Sequence, residues 1–516
     1  VSSLAAALAE RLGAAHVSTD PEACALAGSD LFEWPDAVPA EIVIRPGSTA
    51  ETGIALRLLA EFGRAVVPRG AGMSYSAGVV PKGPAVVVDT TRLTSISIDA
   101  ANLTAVVGAG TTWQALAQAL APHRLRAAQA SPVSGSVSTV GGVAAQNLPG
   151  TMDGILGLAV VLADGSIART GALTLHHAPP FWRHMGPDLT GMFLGDCGAF
   201  GVKTEVALRL APESEAAHGS FAFGNGAAMM SALVEIAQSV PVARAFAMDP
   251  VRVRDGGEVP AMEALRTAGA VAARAGSVYR AMRDVAGIAG GATAVRERSR
   301  PVEAAWTLHL TAEGLTEAVA EVGIEAARRI AAAAGGQEVS ATIPRALRAR
   351  PYTIRGLVGP AGERWVPVHG MLPLATARDC LAALEAAHVA MGAEMAEHGI
   401  AVSHMVSSAG AYVSIEPMFY WRDALDPLHL KHLADSSRAR FGGFAPNPAA
   451  RALVRRAREV LFGVMDAHGA VHAQIGRFYP LASRMDPGAA ALLVRVKSML
   501  DPRGRMNPGV LEGSQG

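Results

Sequence analysis

The chain has 516 residues, with 45 Lys+Arg against 45 Asp+Glu, and therefore no formal net charge. At 50% hydrophobic and 17% charged residues it can bury large cores and is not a disordered chain. Without a positive balance it has no global attraction to nucleic acid or anionic membrane, and three dispersed cysteines lacking a CxxC exclude a disulfide framework and fit a reducing, cytoplasmic setting.

In chain order, residues 1–35 read as a helical segment whose apolar run is broken by Glu10 and Arg11, unlike a signal peptide. No stretch of about 18 apolar residues escapes a charge, Gly or Pro, so no membrane span is expected. Residues 36–213 alternate short β-branched runs with helices and glycine turns. Residues 40–46 read as a strand, 49–63 as a helix capped by Thr49 and closed by Gly63, and 64–70 as a strand entering a glycine loop. Strands follow at 85–93 and 103–113, a helix at 113–123, a hairpin at 156–172 turning on Asp164-Gly165, and an alternating strand at 201–212. From 214 to 460 the order strand–helix recurs around 220–239, 304–336 and 364–400, with a further strand at 411–421 and helices across 255–300. That pattern predicts antiparallel sheet with helices on one face. Residues 461–516 carry a long helix end, a final helix at 489–500 and a Gly/Pro-rich close.

Three loops of small residues carry the chemistry. The first runs Pro68-Arg69-Gly70-Ala71-Gly72-Met73-Ser74 to Gly78 after a strand. Its backbone N–H groups can line a phosphate-binding concavity, or it is a glycine-rich surface turn. It fits neither GxGxxG leading into a helix nor the P-loop. The second, Ser131 to Asn147, contains Pro132, Ser136, Thr139, Gly141 and Gly142, offering close backbone approach and hydroxyl donors. The third runs Gly195 to Thr204 and includes Gly198, Gly201 and Val202. Three such loops, each joined to a strand, point to a large ligand with a long polar spine.

These loops, with Lys497 and the closing Asp501-Pro502-Arg503-Gly504-Arg505-Met506-Asn507-Pro508-Gly509, resemble the vanillyl-alcohol oxidase / p-cresol methylhydroxylase superfamily of FAD-linked oxidoreductases. The resemblance implies an α+β chain. A PCMH-type FAD-binding domain of two α/β subdomains would occupy 36–213, a substrate-binding cap 214–460, and a return to the FAD domain 461–516. Under that resemblance Pro68, Arg69, Gly70, Ala71, Gly72, Met73, Ser74 and Gly78 hold the FAD pyrophosphate. Pro132, Ser136, Thr139, Gly141, Gly142 and Asn147 form the second cofactor loop, Gly198, Gly201 and Val202 lie along the flavin and adenosine, and Asn507 closes the domain. Met73 and Ser74 stand where some members attach FAD through histidine, so non-covalent FAD is expected.

The implied reaction removes hydride from a CH–OH carbon, so the protein must supply a proton acceptor and a charge partner. His369, His404, Glu416 and His472 are the candidates, His472 foremost because the hydroxy-acid branch carries a glutamate–histidine–glycine element there. Each has the alternative of a hydrogen-bonded core residue. His404 and Glu416 lie on neighbouring strand candidates and could pair. No short ligand spacing supports a metal, and the GDGN signature of the hydroxy-acid branch is missing near His369. A 2-hydroxy acid needs an arginine for its carboxylate, from Arg355, Arg422 or Arg477; Tyr75, Tyr420 and Tyr479 could line an aromatic pocket. The expected function is a D-lactate dehydrogenase-like FAD oxidoreductase. The alternatives are an aromatic-alcohol or 4-alkylphenol oxidase and an alkyl-glycerone-phosphate-synthase-like enzyme. The electron acceptor would be oxygen, a quinone or a cytochrome, and a homodimer is possible.

Overall fold

The computed structural model describes residues 2–175, 177–254, 261–274, 282, 305–352, 357–359, 361–408, 410–433, 438, 441 and 443–511. The chain divides into two compact units: Val1–Glu213 with Asp426–His432 and Ala473–Gly516, and Ser214–Leu425 with Leu433–His472. The return to the first unit therefore comes at Ala473 rather than at 461, and the short segment 426–432 joins it as well.

The first unit holds two sheets. β1 (Val17–Ser18), β2 (Ile42–Ile44), β3 (Ala65–Arg69) and β4 (Ala85–Asp89) are arranged β1-β2-β4-β3, with β2 and β3 parallel to β4. A parallel sheet is covered on both faces, which is why Ile42–Ile44 and Val86–Val88 are continuous apolar runs. One side packs under Leu4, Leu8, Leu56 and Leu59 of two helices; the other, through Val43, Val67 and Val87, meets Cys24 and Ala27. The helix Thr49–Glu61 is capped by Ser48, whose hydroxyl accepts from Glu51 N at 3.1 Å, and not by Thr49. Thr49 Oγ1 instead bonds Thr204 and Glu205 across the unit.

The second sheet comprises β5 (Ile96–Asp99), β6 (Thr104–Gly108), β7 (Leu125–Ala127), β8 (Ile155–Val161), β9 (Ile167–Arg169) and β10 (Val202–Pro212). It is antiparallel, in order β5-β6-β10-β8-β9 with β7 against the end of β10. β8 and β9 are the hairpin turning at Asp164-Gly165, where Gly165 takes φ +79°.

The second unit is built on one eight-stranded antiparallel sheet among the described residues. Its strands are β11 (Glu215–Phe223), β12 (Arg244–Met248), β13 (Trp306–Gly314), β14 (Gln337–Glu338), β15 (Arg364–Pro367), β16 (Gly370–Pro373), β17 (Ala401–Ser408) and β18 (Tyr412–Trp421). The order is β14-β11-β13-β12-β17-β18-β15, with β16 also on β18. One face buries Phe221, Phe223, Leu308, Leu310, Val406 and Phe419 beneath the helices Gly226–Ser239, Glu317–Ala333, Ala377–Glu397 and Pro448–Ala467. The opposite face is polar and meets Pro250–Arg254 and Thr342–Ala349. Of the expected helices across 255–300, Ala261–Arg274 is a helix; the rest, apart from Met282, lies outside the described residues.

The C-terminal helix Pro487–Leu500 ends on a buried charge knot. Asp501, 3% exposed, accepts from Lys497 Nζ at 2.7 Å and from the N–H groups of Arg505 and Met506 at 3.0 and 2.7 Å. Burial alone would raise the Asp501 carboxyl, but these donors hold it below the ordinary carboxylate range. Its stabilising contribution is therefore present above about pH 4 and lost as pH falls through the depressed value. Asp501→Ala is expected to cost about 2–4 kcal/mol at neutral pH. The difference between variant and parent in urea melts is expected to shrink toward pH 3.

Candidate functional site

The three glycine loops converge at one end of the first unit. Pro68 and Arg69 finish β3, and Gly70 through Gly78 leave it as irregular chain. Pro132 and Ser136 precede Thr139, which caps the helix Val140–Gln146; its hydroxyl accepts from Gly142 N at 3.1 Å. Gly141 and Gly142 form the first turn, and Asn147 ends the helix with φ 51°. Val202 opens β10 just after Gly198 and Gly201. The loops touch through their glycines. A Cβ on Gly70 would stand 2.5 Å from Thr139 Oγ1, and Gly198, at φ +79°, would meet Pro68 at 2.7 Å. No other residue allows both approaches.

Arg69 does not offer its charge to the loop. Its guanidinium runs beneath Gly72 and donates to the carbonyls of Ala27 and Ser29, so it props the loop from behind. Burial lowers its pKa to about 10, against the pull of Asp89 and Asp30. Asp30 braces the same region, accepting from Phe32 N, Trp34 Nε1 and Ala77 N.

The C-terminal segment ties these loops together. The Asn507 carboxamide donates to Gly78 O at 2.8 Å and Cys197 O at 2.6 Å, while its backbone N–H bonds Val66 O at 2.8 Å. Lys497 Nζ bonds the Ala199 and Met506 carbonyls, both at 2.7 Å. Gln474 N donates to Gln146 O, and Arg477 N to Ser76 O. Burial pushes the Cys197 thiol up to about 12, leaving it an inert packing group.

A long polar ligand fits this cradle. Ser136 Oγ and Arg477 Nη2 are buried among the described residues with no hydrogen-bond partner, although Arg477 Nη1 donates to Val80 O at 2.7 Å. Buried donors are rarely left unused, and both atoms have the chemistry to donate to a ligand's oxygen. Burial lowers the Arg477 pKa, opposed by Asp36 and Asp30. Tyr479 is buried edge-on against Phe478.

In the second unit, strand register sorts the candidates. His404 pairs with Pro417 and Glu416 with Met405, so His404 and Glu416 point to opposite faces and cannot act as a pair. His404 lies on the helix-covered face, 3.4 Å from Asp249 Oδ2 and beside the rings of Trp306 and His388. His472 extends the sheet through the bridge Met371↔Val471 and lies opposite Gly370, covered by Met465 and Phe462. Its Nδ1 donates to His369 O at 2.7 Å, which sets the neutral tautomer with the proton on Nδ1. His369 sits between β15 and β16 rather than within a strand. Among the described residues, no group of three or more His, Cys, Asp or Glu is placed to hold a metal.

The polar face carries a cluster that sequence reasoning only half found. Arg252 donates to Tyr420 Oη, with Met418 Sδ 3.6 Å away, and Trp365 stacks on Tyr420 at 6.4 Å between ring centroids. Burial raises the Glu416 carboxyl, opposed by Arg252, and raises the Tyr420 phenol likewise. Arg252 was missed because it follows Asp249-Pro250 in a stretch without motif or period. Of the arginines expected to recognise a carboxylate, Arg422 lies exposed over Phe444, Arg477 lies against Ser76 and Val80 beside the first glycine loop, and Arg355 lies outside the described residues.

Comparison with known proteins agrees with this geometry. Residues 40–171 match the family described as FAD binding domain, and 469–511 match FAD linked oxidases, C-terminal domain. D-lactate dehydrogenase of Archaeoglobus fulgidus is 31% identical over 178 residues, 33% of this chain and 39% of that protein. Glycolate oxidase subunit GlcD of Bacillus subtilis is 33% identical over 184 residues, 34% of this chain and 38% of that protein. The matches thus span well under half of either relative. The structure of p-cresol methylhydroxylase with substrate bound aligns with TM-score 0.71 at 14% identity, covering 99% of this chain and 96% of that one. No helix among the described residues is long and apolar enough to cross a membrane.

Asn507→Ala removes two buried hydrogen bonds that join separate loops. It is expected to lower stability by about 2–3 kcal/mol and to release the cofactor on gel filtration. A variant that melts and retains its ligand as the parent does would show that the loops hold without this tie.

Proposed function

We propose that this chain, which matches the FAD binding domain family over residues 40–171 and the FAD linked oxidase C-terminal family over 469–511, is an FAD-dependent oxidoreductase that oxidises a CH–OH carbon, with a 2-hydroxy acid as substrate. Bound FAD supplies the hydride acceptor. The first unit's loops would cradle its diphosphate, and Arg477, through its unused Nη2, would balance negative charge on the flavin ring. The single observation behind the substrate class is the Arg252–Tyr420–Glu416 cluster on the polar face of the second unit. Arg252 would pair with the substrate carboxylate, for which a guanidinium is the geometric match. Glu416 would take the hydroxyl proton, since a carboxylate whose pKa is raised by burial is the stronger base. Tyr420 and Trp365 would wall the substrate carbon. His472 and His404, both turned under helices, would be structural. The relatives named for D-lactate and glycolate point the same way.

The second reading is a 4-alkylphenol or aromatic alcohol, favoured by the Trp365–Tyr420 stack and by an arginine–tyrosine pair suited to a phenolate. Anaerobic mixing distinguishes the two: D-lactate or glycolate is expected to bleach the flavin, and 4-ethylphenol is not. Oxygen, quinone and cytochrome acceptors would be compared on the reduced enzyme.

Glu416→Gln is expected to slow bleaching about 10²–10⁴-fold with FAD content unchanged. In the parent, kcat/KM is expected to fall with decreasing pH through a limb above the ordinary glutamate range of about 4.3, and the variant to lose that limb. Arg252→Gln is expected to raise KM about 10–100-fold, and His472→Ala to stay within a few-fold of the parent. A large loss in His472→Ala with an unaffected Glu416→Gln would move the base back to the histidine.

A further inference from the structure

The segment 426–432 is flanked in sequence by residues of the second unit, yet it belongs to the first. It places Lys431 and His432 beside the first glycine loop, with His429 near His432. The His432 imidazole bonds the Ala71 backbone, and Lys431 stands within the fields of Asp89, Arg69 and Arg45. His429 is wholly buried, its Nδ1 bonded to the Asp426 carboxylate. A carboxylate accepts, so Nδ1 carries the proton and Nε2 points elsewhere. The Nε2 atoms of both His429 and His432 are buried with no hydrogen-bond partner among the described residues. Two orphaned imidazole nitrogens on one short segment are a costly arrangement unless a ligand satisfies them.

We propose that His429 and His432 are contacts of the FAD diphosphate, and that FAD binding takes up a proton at His432. The proposal rests on the FAD reading above. It adds a second wall to the phosphate site, from a part of the chain that no glycine motif marks. The proton comes from solvent onto an imidazole nitrogen, and no bond to carbon or phosphorus changes. In the free chain the charged form is disfavoured. Burial, with Lys431, Arg69 and His429 acting in the same direction against the Ala71 bond, lowers the His432 pKa to about 4. The groups facing the pair are these cations, with Asp426 beyond His429 and Asp89 beyond Lys431. A bound diphosphate supplies the missing negative charge and favours the imidazolium, whose N–H then donates to a phosphate oxygen. The complex therefore binds the proton more tightly than the free chain, and FAD affinity rises as pH falls from neutral toward the free-chain value.

The test uses the full chain stripped of flavin and titrated with FAD, following the quenching of flavin fluorescence. Between pH 7 and 5 the parent is expected to bind more tightly by up to about tenfold per pH unit, the limit for one proton. Calorimetry in two buffers of different ionisation enthalpy is expected to show uptake of up to about one proton. His432→Gln is expected to weaken FAD binding at pH 6 at least about tenfold, the loss of one charge-assisted hydrogen bond, and to flatten the pH dependence. His429→Gln, checked for a free-chain melt like the parent's, is expected to weaken FAD binding while keeping the pH dependence. FAD binding by the parent without proton uptake, together with parent-like affinity in His432→Gln, overturns this proposal while leaving the FAD reading intact. Failure of the parent to bind FAD overturns both.

Discussion

The cofactor unit depends on a C-terminal asparagine that holds two distant loops by their carbonyls. Asn507 spends its amide on Gly78 and Cys197, and Lys497 fixes the third loop through Ala199. Neither group makes a large apolar contact. Their importance comes from burial: a backbone carbonyl withdrawn from water needs a donor, and here that donor comes from the far end of the chain. The close approaches at Gly70 and Gly198 are possible because these ties hold the loops in one position. The arrangement leaves Ser136 and Arg477 with unused hydrogen-bonding atoms. The loops are thus tied to the C-terminal segment by these hydrogen bonds, while Ser136 and Arg477 keep polar atoms without a protein partner.

A different principle organises the second unit. Its sheet has one face under four long helices and one that carries tyrosine and glutamate, met by Arg252 of the helix Pro250–Arg254. In an antiparallel sheet the residue parity decides which face a side chain joins, and cross-strand partners share it. Glu416 and His404 are neighbours by strand and strangers by face. The chemistry of each follows from that parity. His404 is locked by Asp249 and aromatic rings, whereas Glu416 is half-buried beside Arg252 with its proton affinity raised.

The histidines illustrate how burial and partners outweigh residue type. His309 bonds Ser220 and Thr307 through its two nitrogens, and burial lowers its pKa to about 3, so it is a neutral bridge between strands. His472 has its tautomer set by a backbone carbonyl. His404, His429 and His432 each have a buried Nε2 without a partner among the described residues, but only His432 bonds the first glycine loop, at Ala71. A count of candidate bases in the chain would rank all of these alike.

The glycine loops, the hairpin at Asp164-Gly165, the strand–helix order and the closing Asp501–Asn507 motif were legible from the chain alone. Each is a local requirement: a positive φ, a tight approach, an alternating face or a capping residue is written into adjacent positions. That local information determined the FAD-binding architecture. The tertiary structure alone decided which of His404, Glu416 and His472 reach the polar face, because a bulge, a bridge or one residue of register reverses a side chain's direction. It alone brought Arg252 to Tyr420, 168 residues apart in sequence, and carried 426–432 into the cofactor unit. Contacts at such separations come from folding the whole chain, and no window of neighbouring residues contains them.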